Sequence, residues 1–195
     1  FSSRPCDVFI AQAIEQALDG LGRSLPTFGN GLVVDLLGEI GAQVWRRVRF
    51  ARRPLGREDA PDLTPAGAEQ LKLARAYLLL GFVDVLADSA SIVDLYTGIR
   101  ALNLTESVGR RSPELALAYS SVAYTFGLLR LHRLARNYFR LADAALAGLE
   151  ELPVVVAVLS GANSYALCTG AWTEAERGCA RAVEMSERLG DHHNW

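Results

Sequence analysis

Lysine occurs once in this chain, at Lys72, methionine once, at Met185, and cysteine three times, at Cys6, Cys168 and Cys179. An odd and widely spaced set of thiols is no disulfide framework, and it fits a reducing cytoplasm. Net charge is scarce as well. With 20 basic against 22 acidic residues the formal charge is −2, which opposes a general attraction to nucleic acid or anionic lipid. Long apolar runs are missing, because Asp84 interrupts residues 76–87 and Glu151 precedes residues 152–162, so no membrane span is expected. The strand-forming alternation of apolar and polar residues is also missing. The chain opens at Phe1 with neither an initiator methionine nor a secretory signal core, which reads as a segment of something longer.

The motifs of catalysis are absent too. No G-x-x-x-x-G-K-[ST] loop occurs, and Gly29-Asn30-Gly31 lacks the preceding strand and the third glycine of a dinucleotide turn, so a helix start explains it. His192 and His193 are adjacent and diverge on any helix, while His132 has no Cys or carboxylate at ligand spacing. Spacing sets Asp84, Asp88 and Asp94 on apolar faces, but no positioned histidine or arginine accompanies them as a general acid–base site requires. Asn103-Leu104-Thr105 is a glycosylation sequon only in a secreted chain. The expectation is a non-enzyme with no cofactor and no metal.

Half of the residues are hydrophobic, and they recur at three and four positions, the spacing of helices. About eight are expected: residues 5–21, 30–50, 64–88, 91–108, 112–129, 131–149, 153–169 and 173–189. Thr64-Pro65 and Ser112-Pro113 each place a capping hydroxyl before a proline at the first helical position, and Thr173 with Glu176 has the spacing of a capping box. The stripe of the second helix is Leu32, Val33, Leu36, Leu37, Ile40, Val44, Trp45 and Val48. Residues 51–64 gather two internal prolines, a glycine and mixed charge, which sets a division between an amino-terminal part, 1–62, and a carboxy-terminal part, 63–195.

A forty-residue echo organises the second part. Ala135, Phe139 and Ala142 recur as Ala175, Cys179 and Ala182, and Ala101 precedes Ala142 by 41 residues. Small residues at this period mark helical hairpins that stack, each burying an apolar face it cannot bury alone. The expected fold is all-α, with antiparallel hairpins over 64–108, 112–150 and 153–190 stacked as a tetratricopeptide-like superhelix. In the middle hairpin Ala123 faces Ala135, with Phe126 and Phe139 as bulky contacts between its helices and Tyr119 nearer the start. The last hairpin carries Asn163 where a small residue is expected.

The stretches "LGRSLP", "LLGEIGAQVWRRVRFARRP", "ALNLTESVG", "SPELALAYSSVAYTFGLLRLHRLARNYFRLADAAL" and "GAWTEAERGCARAVEMSERLGD" carry a resemblance at the level of pattern over nearly the whole chain. The chain resembles the tetratricopeptide-like carboxy-terminal region of multidomain signalling ATPases, in which an AAA-type NTPase module accompanies a nucleotidyl cyclase or protein kinase domain. The resemblance implies a regulatory or partner-binding arm beside an upstream nucleotide-using module, and no active site here.

Two surfaces follow from spacing. Ser120, Tyr124, Leu128, Ser164, Leu167 and Cys168 lie one turn from the packing positions on the first helices of their hairpins, where a groove would receive a helix or extended peptide with Tyr124 as anchor. Arg46, Arg47, Arg49, Arg52, Arg53 and Arg57 cluster around Trp45 and Phe50, as a local nucleic-acid-binding surface, as a contact for an acidic partner domain or, since Glu58, Asp59 and Asp62 follow, as a solvated face. The expected partner is a protein or the parent's own domains, not a specific nucleic acid. The alternative is an effector-sensing domain in which Tyr124 and Asn163 help to enclose a small molecule.

Overall fold

In a computed structural model the chain is described at residue 16 and over residues 30–50, 63–86, 92–149 and 152–189, and among the described residues every regular element of any length is a helix and none is a strand. These are α1 (Asn30–Phe50), α2 (Pro65–Leu86), α3 (Ile92–Val108), α4 (Pro113–Leu128), α5 (His132–Leu146), α6 (Leu152–Thr169) and α7 (Trp172–Leu189). The all-α expectation holds, with seven helices described where about eight were expected. Of the helix expected over 5–21 only residue 16 is described, and the connection over 51–62 lies outside the described residues. The chain divides into two compact units, Phe1–Arg110 and Arg111–Trp195. The division expected near residue 62 falls inside the first.

Helix starts follow local chemistry. The Thr64 Oγ1 accepts from the Gly67 N–H at 3.1 Å and the Ser112 Oγ from the Leu115 N–H at 3.2 Å, each satisfying a donor that the first turn leaves without a partner. The capping box at Thr173 is corrected: α7 begins at Trp172, and the Ala171 carbonyl accepts from the N–H groups of Glu174 and Ala175, so Thr173 sits inside the first turn. Gly170 ends α6 at φ 74, where Ala171 N–H reaches back to the Ala166 carbonyl at 2.9 Å. A side chain would strain that left-handed residue.

In the first unit α2 and α3 pair as a hairpin and α1 packs on α3. Leu73, Ala74, Tyr77 and Leu80 of α2 are buried, as are Tyr96, Ile99, Ala101 and Leu102 of α3. The Tyr77 and Tyr96 rings meet edge to face at 6.2 Å, an arrangement that adds roughly 1 kcal/mol beyond area burial. Gly81 permits the close approach of the two helices, since a Cβ there would fall 2.8 Å from Thr97 Oγ1. The stripe expected on α1 is only partly buried. Leu32 and Leu36 are covered, while Val33, Leu37, Val44, Trp45 and Val48 are exposed. The face turned inward runs along Leu32, Leu36, Glu39 and Gln43 toward Arg46 and Arg47, because α3 presents polar groups to it.

In the second unit α4 pairs with α5 and α6 with α7, and α6 also packs against α4 and α5. Ala123, Ala135 and Ala142 have no exposed surface, and Ala175 and Ala182 are buried, as the forty-residue echo requires. Phe126 meets Tyr138 of α5 at 5.4 Å, and Phe139 meets Tyr165 of α6 at 5.3 Å, a contact that joins successive hairpins. Asn163 is accommodated by a glycine on the facing helix: a Cβ on Gly178 would overlap the Asn163 carboxamide. Gly178→Ala is expected to destabilise the second unit by about 1–3 kcal/mol through overpacking. Asn163→Ala in the same chain should restore most of the loss, read as the shift in urea midpoint followed by circular dichroism.

Candidate functional site

The arginines at the end of α1 are tied to α3. Arg46 Nη1 donates to the Asn103 carbonyl at 2.7 Å, and Arg47 Nη2 pairs with Glu106 Oε1 at 2.7 Å, the Glu106 side chain being almost wholly buried. Arg100 pairs with Glu39, and Asn103 Nδ2 donates to both the Glu39 carboxylate and the Glu39 carbonyl, at 2.6 and 3.0 Å. This is a polar seam where helices commonly meet through apolar side chains. Buried ion pairs of this kind add little net stability over an apolar pair but penalise any register in which a charge loses its partner. Of the arginine cluster, Arg46 and Arg47 therefore serve contacts within the first unit. The side chain of Arg49, and Arg52, Arg53 and Arg57 altogether, lie outside the described residues.

The groove residues expected on the first helices separate into two groups. Ser120 is buried in the contact between α4 and α6, where a Cβ on Gly161 would fall 2.8 Å from its Oγ, and is corrected from groove lining to helix packing. Tyr124 and Ser164 are half-buried, and Leu128, Leu167 and Cys168 are exposed. Cys168 of α6 is a neighbour of Tyr124. Burial first, and that neighbour second, push the Tyr124 hydroxyl above the ordinary tyrosine range. Asn163 is buried against Gly178 of α7.

A second concavity, which sequence reasoning did not single out, opens between α5, α6 and α7. It is an open depression of about 490 Å³, with Phe139, Ala162, Tyr165 and Ala166 as an apolar floor and Arg133, Arg136 and Arg140 along α5. Tyr165 is fixed from several sides. Its ring lies against Gly127, where a Cβ would come within 2.5 Å, and packs on Phe139, and a 3.2 Å hydrogen bond links its hydroxyl with His132 Nδ1. Asp143 and Glu174 also line the space. Desolvation pushes the Asp143 carboxyl above the usual carboxylate range, with Arg181 pulling the other way. The available signal was the spacing of the three arginines, three and four residues apart on one face of an amphipathic helix.

Among the described residues no group of three or more His, Cys, Asp and Glu side chains could hold a metal ion, and no helix is long and apolar enough to cross a membrane. Asp94 is buried in the first turn of α3, where the Thr97 hydroxyl donates to its carbonyl at 3.2 Å. Asp88 and the side chain of Asp84 lie outside the described residues. No protein-family model, no curated protein and no solved structure matches the chain.

Two outcomes follow for the seam and its surroundings. Asn103→Ala removes both donations to Glu39 and is expected to cost about 1–3 kcal/mol, measured by urea unfolding. Tyr96, buried beside α2, has its hydroxyl raised to about 12, by desolvation first, then by Tyr77, with Arg100 opposing and Glu39 and Asp35 adding. The folded state thus holds this proton more tightly than the unfolded chain, so its stabilising contribution is complete below about pH 10 and is lost as pH rises toward 12. A pH series of thermal melts should show that loss in the parent chain and a smaller one in Tyr96→Phe.

Proposed function

We propose that the chain is a non-catalytic helical-repeat scaffold for protein–protein or interdomain contact, acting as the regulatory arm of a larger signalling ATPase. The carrying observation is the outward face of α4 and α6, where half-buried Tyr124 lies near Cys168, with Leu128 and Leu167 exposed on the same two helices. Alanines and glycines hold those helices close, so the face is displayed on a rigid support. A side chain such as Tyr124, partly ordered before contact, loses less freedom on binding than a fully mobile one. It also offers both a ring and a hydroxyl. The pattern resemblance supports the assignment to signalling ATPases and a cytoplasmic setting, with the parent's own domains as the first candidates for the partner.

The test uses the complete parent protein. Tyr124→Ala combined with Leu167→Asp should leave helicity unchanged, because both side chains are at least partly exposed, while altering the regulation of nucleotide turnover by the upstream module. A photocrosslinker at Leu128 should join this face to an identified segment of the parent or of a purified partner. Unaltered regulation together with no crosslink would sink the proposal.

A further inference from the structure

We infer that the concavity between α5, α6 and α7 is a second docking surface, one that takes an extended acidic segment of a partner protein with its aliphatic side chains against Phe139 and Tyr165. The inference rests on the reading of the chain as a scaffold but concerns a concavity whose lining does not include Tyr124. Three observations carry it.

The first is charge. Three guanidiniums face two carboxylates in the lining, and one of those carboxylates, Asp143, is already under the influence of Arg181. Arg133 and Arg136 make no hydrogen bond or ion pair with the described residues, and Arg140 makes only a 3.3 Å hydrogen bond to Asn137. All three are exposed. Guanidiniums that stand together in excess of the lining carboxylates and form no ion pair with them favour further carboxylates, which a guanidinium can grip through two parallel hydrogen bonds.

The second is length. Arg133 to Arg140 spans seven residues of helix, about 10 Å, which exceeds a single carboxylate or phosphate ion. An extended peptide advances about 3.3 Å per residue and turns alternate side chains to the same side. Acidic residues at every second position would therefore stay within reach of the arginine row, whose long side chains absorb the difference in spacing, and the intervening aliphatic side chains would be left for Phe139 and Tyr165.

The third is the floor. Phe139, Ala162, Tyr165 and Ala166 offer an apolar bed that a nucleic-acid backbone would not use, although bases could stack there. Tyr165 is held by His132, Phe139 and the Gly127 contact, so the bed is formed in advance. A preformed apolar surface beside a row of cations matches a peptide that mixes aspartate with aliphatic residues.

The experiment titrates the full chain with a fluorescently labelled peptide in which aspartates alternate with leucine and valine, read by anisotropy at low salt. Saturable binding is expected, falling at least about tenfold for Arg136→Gln with Arg140→Gln and for the same peptide with asparagine in place of aspartate. Tyr124→Ala with Leu167→Asp should leave this affinity unchanged. Failure at the Tyr124 face is thereby separated from failure here. The inference is overturned if the aspartate peptide does not bind, or if it binds equally to the arginine variant. It is also overturned if single-stranded RNA binds more tightly through the same arginines, which would make this a nucleic-acid surface. Complete displacement of the peptide by inorganic phosphate at equal concentration would likewise reduce it to a simple anion site.

Discussion

The closeness with which one helix backbone can approach the next is the constraint on which the second unit depends. An alanine or glycine at a crossing lets two helices meet with little between them, and each such position fixes what its neighbour can be. Ala123, Ala135 and Ala142 have no surface to give. Gly161 faces Ser120, Gly127 faces the Tyr165 ring and Gly178 faces Asn163, so in each case the missing side chain is matched by a particular group on another helix. The interior of a protein is packed like a crystal, and such pairs cannot be altered singly without movement elsewhere. The outward surfaces inherit their rigidity from these contacts.

The first unit joins α1 to α3 by a different device. Their contact includes Glu39, Arg46, Arg47, Arg100, Asn103 and Glu106, continuing the inward face that starts with the buried Leu32 and Leu36. Hydrogen-bonded charges discriminate between registers more sharply than they stabilise any one of them. The seam therefore sets the position of α1 along α3 while leaving Val33, Leu37, Val44, Trp45 and Val48 on the exposed side.

Much of the helical architecture was legible because it is written in local terms. Hydroxyl–proline pairs at Thr64 and Ser112, glycines after the helices and apolar residues at three- and four-residue spacing announce starts, stops and faces without reference to the rest of the chain. The capping pattern at Thr173 misled because α7 starts earlier, at Trp172, where backbone groups alone satisfy the first turn. Phe139 was legible as bulky but not as a link to the following hairpin, since its rotation depends on where Tyr165 lies. The arginines of α1 were conspicuous as a cluster, yet their partners sit more than fifty residues away on α3. Spacing alone holds no record of such a pairing. Among the residues expected to line a groove, Leu128 and Leu167 are exposed and Tyr124 is half-buried, whereas Ser120 packs against the glycine opposite it.

Tyr165 belongs to two neighbourhoods at once. Its ring forms part of the floor between α5, α6 and α7, and the same ring rests directly on Gly127, one turn from Tyr124 on α4. With no side chain on Gly127 to act as a cushion, a displacement of the ring is a displacement against the α4 backbone. A larger side chain at position 127 would therefore reshape the floor of the concavity as well as the seating of α4 on α6.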